Sequence, residues 1–494
     1  MTLGRMDSSL DTHNIELQKQ SSVLLAPPQR SENSQNTTDL EAWLPISTAD
    51  RNANWKHAAF HNVTAMMGAG VLALPNAMVY LTWGPGLLML ILSWVITLFT
   101  LWQMVEMHEA VPGKRFDRYH ELGQEAFGPK LGLWIVVPMQ LVVEVGVDIV
   151  YMVTAGKSMQ HAYNITCGDH CPLQDAIVFW IFLFAIVQLV LAQLPNFNSI
   201  TAISLAAAIM SISYSTIAWI IPAHYGHTLP GGVKLLAPVS YGLPQFKPVQ
   251  LQLPGGSTLQ QVPDDLSYND RLFGAFTALG TIAFAYAGHN VVLEIQSTLP
   301  STPEEPSKLA MWRGVKFAYG VVAAGYFPVA LVGYWAYGNQ VTDDIITFVS
   351  RPTWLVLIAN LMVVVHVIGS YQIYAMPVFD MMESTLVGRL RFKPSTPLRL
   401  ITRSLYVVFT MFIAITFPFF SALLGFFGGF AFSPTTYFLP SIIWLRIYHP
   451  NRWSWSWVIN WAVIVFGVVL MFVSTIGGFR SLMVEAANFH FYKN

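Results

Sequence analysis

Long apolar stretches separated by short polar segments follow one another along most of the chain. Eleven of them hold roughly 20 mostly apolar residues, the length a helix needs to cross the hydrocarbon core of a bilayer. The pattern therefore predicts an all-α integral membrane protein with eleven transmembrane helices. The predicted spans are 57–80, 84–106, 131–155, 176–194, 199–221, 271–294, 314–337, 353–380, 400–421, 424–445 and 456–478.

Composition and charge add an orientation to this picture. The 494 residues are 54% hydrophobic and 11% charged, against about 25% charged in soluble domains. Of the 26 Lys and Arg side chains, 19 fall on the side of the N-terminus and 7 on the other side. The positive-inside rule then predicts a cytoplasmic N-terminus and an extracellular C-terminus. A net charge of −1 gives no basis for nucleic-acid binding, so the lipid bilayer is the expected macromolecular environment.

Two of the predicted spans carry helix breakers near their centres. The first contains Met67, Gly68, Ala69 and Gly70, and the sixth contains Gly288. Glycine weakens a helix, and freed backbone groups at membrane depth must be buried in protein or line a cavity. Close helix packing through small residues is the alternative explanation.

The two interrupted spans open two groups of five helices that enter the membrane from opposite faces. This arrangement is typical of secondary transporters built from an inverted repeat. We expect a disordered cytoplasmic tail at 1–50, a first repeat at 51–222, an extracellular loop at 223–270 and a second repeat at 271–447. Residues 448–494 would then form the eleventh span and an extracellular C-terminus.

Interrupted helices suggest a ligand with both a carboxylate and an ammonium group. Half-helix N-termini offer amides and a positive dipole end to a carboxylate, and freed carbonyls suit an ammonium. An α-amino acid matches both, and no cofactor or metal ion is predicted. The expected substrate-binding residues are Met67, Gly68, Ala69, Gly70, Glu144, Asp148, Tyr286, Gly288 and His289.

Charged side chains at membrane depth usually face a cavity or a partner. Glu144 and Asp148 are four residues apart on one face of the third span, where like charges favour a shared proton. They could bind a proton or the substrate ammonium, or form a structural hydrogen-bonded pair. Glu294 lies near the inner end of its span, where a gate contact with a cytoplasmic cation competes with simple solvation.

A short segment after the third span fits an extracellular face. Asn164 begins an Asn-x-Thr sequon for glycosylation, and Cys167 and Cys171 follow it. A disulfide between these cysteines is the preferred interpretation. Two free thiols, or a metal site that includes His170, are the alternatives.

Several motifs resemble plant amino acid permeases of the amino acid/auxin permease family, in particular the lysine/histidine transporter group. The resemblance covers about residues 50–480. The motifs are FHNVTAM at 60–66, VEMHE at 105–109, PGKRFDRYHELG at 112–123, FAYAGHNVVLEIQ at 284–296, PSTP at 300–303 and VHVIGSYQIYAMP at 365–377.

The resemblance implies a leucine-transporter-like arrangement, a plasma-membrane location and proton-driven import of amino acids. It also ties proton coupling to histidines of the first and eighth spans, which are His61 and His366 here. A structural role for either histidine is the alternative. Asn76 and Asp148 depart from the family pattern, which leaves the preferred substrate open among neutral amino acids, lysine or histidine, and an amino-acid-like growth regulator.

Other functions are less compatible with the sequence. Motifs of hydrolases, metalloproteases and phosphate-binding loops are absent, so an enzyme is not expected. A sensor that binds an amino acid without transporting it could use the same fold. Protons are favoured over sodium because His366 stands in the eighth span, where a hard cation would need oxygen ligands.

Overall fold

The computed structural model describes residue 43 and residues 51–167, 172–226, 251–252, 258–259, 268–286 and 288–489. Most of the predicted tail 1–50 and most of the predicted loop 223–270 lie outside the described residues, and so do Cys171 and His170. The description below concerns the unit that begins at Leu44.

Among the described residues of this unit, sixteen α-helices account for most of the chain, with three short 3₁₀ turns at Phe197–Ile200, His289–Val291 and Gly338–Gln340. Two-residue strands at Leu251–Gln252 (β1) and Thr258–Leu259 (β2) pair antiparallel. The helices are α1 Trp55–Met66, α2 Gly70–Leu81, α3 Trp83–Met107, α4 Tyr119–Phe127, α5 Pro129–Cys167, α6 Ile177–Leu191, α7 Thr201–Tyr225, α8 Tyr268–Ala285, α9 Val292–Ser297, α10 Ser307–Tyr337, α11 Ile345–Phe348, α12 Thr353–Ser384, α13 Thr396–Thr416, α14 Phe420–Phe427, α15 Leu439–Tyr448 and α16 Trp455–Asn488.

Within the described residues, nine helical segments are long and apolar enough to cross a membrane. A tenth candidate span is the pair α1 and α2, which is bent by 46° at its break. The fifteen residues of α6 are apolar but short. Each predicted span thus corresponds to helical structure, whereas the count of crossings reaches ten by length and hydropathy.

The structure differs from the sequence-based expectation in three places. The predicted loop between the second and third spans contains α4, whose polar residues gave no apolar signal. Helix α5 continues to Cys167, so Asn164 lies in a helix and not in a loop. The tenth predicted span is wound as a π-helix over Gly428–Phe438, between α14 and α15.

The core of the bundle surrounds the interrupted helices. Helix α5 packs along α12, α12 packs on α7, α1 on α10, and α2 on α8. Large apolar side chains on the outward faces of α6, α13 and α16 stay exposed, such as Val190 (70%), Leu405 (63%) and Phe472 (60%). An apolar belt around a buried polar interior is typical of a protein that faces lipid.

Candidate functional site

The first interrupted span turns at Met67, Gly68 and Ala69. Helix α1 ends at Met66, Met67 leaves helical geometry at φ −90° and ψ 60°, and α2 begins at Gly70. The amide of Met67 still bonds the Val63 carbonyl at 2.8 Å. The carbonyls that follow it lose their regular helical partners, as the glycines predicted.

Tyrosine hydroxyls from neighbouring helices supply the missing donors. Tyr374 on α12 donates to the Ala65 carbonyl at 2.7 Å. Tyr214 on α7 lies 3.0 Å from the Met67 carbonyl and 3.1 Å from the Gly68 carbonyl. Tyr326 on α10 donates to the Met66 carbonyl. The break is therefore compensated by buried side chains of the protein itself.

The second interrupted span breaks after Ala285 and lies against the first. Gly288 has φ +138°, a conformation that glycine adopts readily and other residues rarely do. A Cβ at Gly288 would lie 2.6 Å from Cγ of Met66, and one at Gly70 would lie 2.8 Å from Cα of Ala285. The glycines thus serve close packing as well as chain interruption.

One hydroxyl joins the two breaks. Tyr326 Oη contacts the Met66 carbonyl of the first span and lies 2.7 Å from the Ala285 carbonyl of the sixth. The ring of Tyr286 packs on Tyr326 at 5.2 Å between centroids. The Tyr286 hydroxyl is buried and has no hydrogen-bond partner among the described residues. This arrangement brings Met67, Gly68, Gly70, Tyr286 and Gly288 together, as the sequence predicted.

The start of α2 offers backbone donors at the same place. Gly68, Ala69 and Gly70 precede or begin this twelve-residue helix, where N–H groups have no intrahelical acceptor. A Cβ at Gly68 would lie 2.6 Å from the Tyr151 hydroxyl. The start of α2 and the Tyr151 hydroxyl on α5 are therefore in close contact.

His366 is connected to the break of the first span through Ser370. Its Nδ1 lies 3.0 Å from the Ala207 carbonyl, and its Nε2 lies 3.0 Å from Ser370 Oγ. Ser370 Oγ in turn lies 3.2 Å from the Thr64 carbonyl, just before the break. The eighth-span histidine is thus connected to the first span by one serine hydroxyl.

The other two predicted histidines lie in different surroundings. His289 Nε2 lies 3.1 Å from the Thr97 carbonyl and 3.0 Å from Thr100 Oγ1, so this ring contacts α3. His61 packs between Phe60 and Phe197, with ring centroids at 4.6 and 5.2 Å. Its Nδ1 is buried without a partner among the described residues.

Glu144 and Asp148 have different hydrogen-bond partners. Asp148 Oδ2 accepts from the Tyr406 hydroxyl on α13 at 2.6 Å. Glu144 Oε1 accepts from Gln140 Nε2 at 2.9 Å, and the same nitrogen lies 3.3 Å from Glu294 Oε1. The carboxyl that shares a donor with Glu144 is therefore Glu294, from the sixth span, and not Asp148 as the four-residue spacing predicted.

An ion-pair layer closes the end of the bundle that is predicted to be cytoplasmic. Arg118 makes two contacts with Asp380, at 2.6 and 3.2 Å, and one with Glu121 at 3.1 Å. Beside them is a narrow crevice that leaves no room for a water molecule. Glu294, the predicted gate residue, lines this crevice together with Arg118 and Asp380.

Ion pairs also hold the segment before α1 at the end that is predicted to be cytoplasmic. Arg51 pairs with Asp117 at 2.8 Å, and His108 Nε2 lies 3.2 Å from the same carboxylate. Burial alone would raise the pKa of Asp117, but the contact with His108 and the charges of Arg51 and Arg115 hold it below its ordinary value. Asp117 is therefore ionised at neutral pH and keeps its bond to Arg51.

A larger cavity of about 350 Å³ opens at the other end. It lies between α2, α8, α14 and α16 and is lined by Asn76, Thr281, Asp343 and Glu485 among others. Asn76 donates to the Val341 carbonyl at 3.1 Å. Cavities of about 270 and 610 Å³ also lie at the end predicted to be cytoplasmic, the first lined by Asn54 and Arg313 and the second by Lys130 and Arg389 among others.

The predicted extracellular features are described only in part. Asn164 Nδ2 lies 3.3 Å from the Gln174 carbonyl, a contact that glycosylation of this nitrogen would replace. Cys171 lies outside the described residues, so the disulfide with Cys167 stays a prediction. Among the described residues, no group of three or more His, Cys, Asp or Glu is arranged to hold a metal ion.

Sequence reasoning missed the tyrosines that support the break. Tyrosine is counted among the hydrophobic residues of the composition, and the apolar stretches around Tyr214, Tyr326 and Tyr374 gave these residues no separate role. Tyrosine in membrane proteins is enriched at the interfaces. Three tyrosines near the centres of apolar spans were therefore the signal that buried acceptors needed donors.

The bundle of apolar-faced helices around two interrupted spans defines a multi-pass membrane protein of the transporter class. Residues 51–480 match the family described as transmembrane amino acid transporter protein, and the chain belongs to this family. It falls in the plant lysine/histidine transporter group, as the motifs predicted. The family consists of transporters, so the chain is an amino acid transporter and not an enzyme.

Similar proteins from Arabidopsis thaliana cover almost the whole chain. Lysine histidine transporter-like 1 is 56% identical over 472 residues, which are 94% of this chain and 97% of the relative. Lysine histidine transporter-like 6 is 52% identical over 92% of this chain and 96% of the relative. Amino acid permease 8 is 29% identical over 90% of this chain and 94% of the relative.

Proposed function

We propose that the chain is a proton-coupled symporter that imports amino acids across the plasma membrane by alternating access. The observation that supports this most directly is the contact between the two interrupted spans, which lie against each other and share Tyr326. In the proposed fold, eleven spans form a leucine-transporter-like 5+5 repeat plus one helix. The substrates would be neutral amino acids, lysine or histidine.

In this proposal the substrate occupies the space between the breaks. Its carboxylate faces the amides of Gly68, Ala69 and Gly70 at the start of α2, where the helix dipole favours an anion. Its ammonium faces carbonyls of the break such as that of Met67. The side chain lies toward Tyr286, Gly288 and His289, while Glu144 and Asp148 set the charge of the pocket.

The hydrogen bonds of His366 support a coupling role for this residue. Because Nδ1 faces the Ala207 carbonyl, an acceptor, Nδ1 must carry the hydrogen. Neutral His366 then accepts the Ser370 hydroxyl hydrogen at Nε2. Protonated His366 donates to Ser370 instead, which frees that hydroxyl to donate to the Thr64 carbonyl. Binding a proton at His366 would thus add a hydrogen bond beside the first break.

His61 and Glu294 complete the proposal. His61 would assist coupling from α1, two helical turns before the break, and Glu294 would act as an inner gate beside Arg118. The narrow crevice lined by Glu294, Arg118 and Asp380 supports an inner gate at this position, since alternating access requires a barrier on one side of the substrate. Import would require the protein to alternate between a conformation open to the outside and one open to the cytoplasm.

Uptake measurements test the proposal directly. Amino-acid-import-deficient yeast that express the chain would be given a panel of radiolabelled amino acids at external pH 5 and pH 7.5, with and without a protonophore. Stronger accumulation at pH 5 that the protonophore abolishes is the expected result. Sodium-dependent uptake that ignores the proton gradient would contradict the coupling, and surface-expressed protein that binds amino acids without accumulating them would indicate a sensor.

A further inference from the structure

A buried carboxyl pair joins the third and sixth spans. Glu144 on α5 and Glu294 on α9 both lie within 3.3 Å of one nitrogen, Nε2 of Gln140. Both carboxylates are at most 1% exposed. The same nitrogen also lies 3.1 Å from the Asn290 carbonyl, next to the break in the sixth span.

The pair has too few hydrogen-bond donors for two ionised carboxylates. An amide NH₂ carries two hydrogens, whereas three acceptors lie around it. Oε2 of Glu144 and Oε2 of Glu294 are buried and have no partner among the described residues. An ionised carboxylate that is buried without donors costs several kcal/mol. Protonation of one member removes most of this cost.

The surrounding charges do not neutralise the pair. Arg118 is the cation on the Glu294 side, and its guanidinium already contacts Asp380 and Glu121. His120, which also lines the crevice, has a pKa of about 4 because it is buried and lies near Arg118, so it is uncharged at neutral pH. Three further titratable groups lie near Glu144: Tyr374 on α12, Tyr406 on α13 and Asp148 on α5 itself.

We propose that Glu144 and Glu294 hold one proton between them and that this site releases the proton to the cytoplasmic side. The inference rests on the proposed function, since it assumes that protons accompany the substrate. Release is a transfer of the carboxylic hydrogen to water, which leaves two carboxylates and a hydronium ion. The site is separate from His366, whose contacts are with Ala207 and Ser370.

The position of the pair gives the release step a route. Gln140 and Glu294 line the crevice that Arg118 and Asp380 also line. This crevice is now too narrow for water, so the proton is held. Separation of Arg118 from Asp380 would admit water and would leave the guanidinium with one carboxylate partner fewer near the new carboxylate, which favours the ionised form.

Counterflow separates proton release from substrate binding. Glu144→Gln and Glu294→Gln are neutral in every state and keep the size of the side chain. We expect accumulation against a gradient to fall to the equilibrium ratio in each variant, and the counterflow rate of each variant is measured alongside as the reference for its own transport. One pH unit can drive about tenfold accumulation for one proton per substrate, so the loss is measurable. Glu125→Gln, which removes an exposed carboxylate at the same end, should retain full accumulation.

A spectroscopic measurement reports on the proton itself. Infrared difference spectra of purified protein between pH 5 and pH 9 should show carboxylic-acid C=O bands, of which one component disappears in Glu144→Gln/Glu294→Gln while the contribution of Asp344 remains. This component should remain in Glu125→Gln. Gln140→Leu, which removes the bridging amide, should shift the pH at which this component disappears.

The outcomes distinguish this inference from the proposed function. If wild-type accumulation ignores the protonophore, proton symport is wrong whatever the variants do. If wild-type accumulation needs the proton gradient and both single variants still accumulate substrate fully, the carboxyl pair is not the release site. A variant that loses binding of lysine alone, while it still accumulates neutral amino acids, would show that the pair binds a cationic side chain and would overturn the inference. Loss of counterflow together with a retained infrared band would also overturn it.

Discussion

The break of the first span and the carboxyl pair beside it differ in how their buried polar atoms are satisfied. Every carbonyl from Ala65 to Gly68 lies within hydrogen-bond distance of a tyrosine hydroxyl. Glu144 and Glu294 share one amide and keep two oxygens without partners. The break can therefore persist in an empty protein, whereas the carboxyl pair needs a proton to be stable. The comparison indicates that the first region supports the fold and the second one changes state.

The largest expected effect comes from removing a donor at the break. Tyr326→Phe leaves the carbonyls of Met66 and Ala285 without their shared hydroxyl. A buried acceptor that loses its donor costs about 1–3 kcal/mol. We expect uptake to fall at least about tenfold and the melting temperature in detergent to decrease.

Tyr337→Phe is the matched control, because Tyr337 lies on the same helix and its buried hydroxyl has no partner among the described residues. It should keep wild-type uptake. Equal behaviour of the two variants would show that the hydroxyl of Tyr326 does not hold the break.

A smaller effect is expected where the carboxyl pair meets the ion-pair layer. Asp380→Asn breaks a buried ion pair, a change that costs up to about 3–5 kcal/mol when the remaining charge has no partner. Arg118 keeps Glu121, so we expect a smaller loss of stability and an accumulation ratio lowered about threefold to tenfold. Asp380→Glu should restore much of the ratio. Unchanged accumulation in Asp380→Asn would mean that this ion pair does not keep the crevice closed.

The next effect in size is expected at the connection between His366 and the break. Ser370→Ala removes the hydroxyl that lies between His366 and the Thr64 carbonyl, a change of about 1 kcal/mol. Uptake at pH 5 should fall about fivefold and depend less on external pH than in the wild type. Ser370→Thr keeps the hydroxyl and should keep the pH response. A full pH response in Ser370→Ala would exclude this route for coupling.

The smallest effect concerns a third buried carboxylate, which does have donors. Asp344 accepts from the amides of Ile346 and Thr347 at 2.9 and 3.4 Å, and burial together with the nearby Asp343 raises its pKa to about 6. The unfolded chain releases this proton near pH 3.9. The folded protein therefore loses stability as the pH rises from about 4 to 6, and its stability does not change further above pH 6 through this group. Lowering the pH from 7.5 to 5 should therefore stabilise the wild type by about 1 kcal/mol more than Asp344→Asn.

Asn is also a good N-cap, so this variant tests charge and not capping. Melting temperatures in detergent at the two pH values measure the difference. An equal pH response of wild type and variant would show that Asp344 titrates as it does in water.

The sequence indicated helical structure in each apolar stretch and the positions of both breaks, because these depend on local residues, but it gave no signal for the polar helix α4. Apolar length located the spans, and Gly68, Gly70 and Gly288 marked the interruptions. The partners of the break could not be predicted, since Tyr374 is 309 positions from Ala65 and Tyr214 is 147 positions from Met67. The pairing of Glu144 failed for the same reason. The spacing to Asp148 is local, but Glu294 is 150 positions away and comes close to Glu144 only in the folded chain, where the His289–Val291 turn packs against α5.

Counting hydrogens at the break gives a different result from counting contacts. Tyr214, Tyr326 and Tyr374 lie near five carbonyls, those of Ala65, Met66, Met67, Gly68 and Ala285. Each hydroxyl has one hydrogen, so at any moment two of the five carbonyls receive none from these tyrosines. An ammonium group carries three hydrogens. The Gly68 carbonyl also lies 3.4 Å from the Val71 amide, so the carbonyls of the break share a small number of hydrogens, and a group that brings three of its own would find acceptors there without displacing a tyrosine.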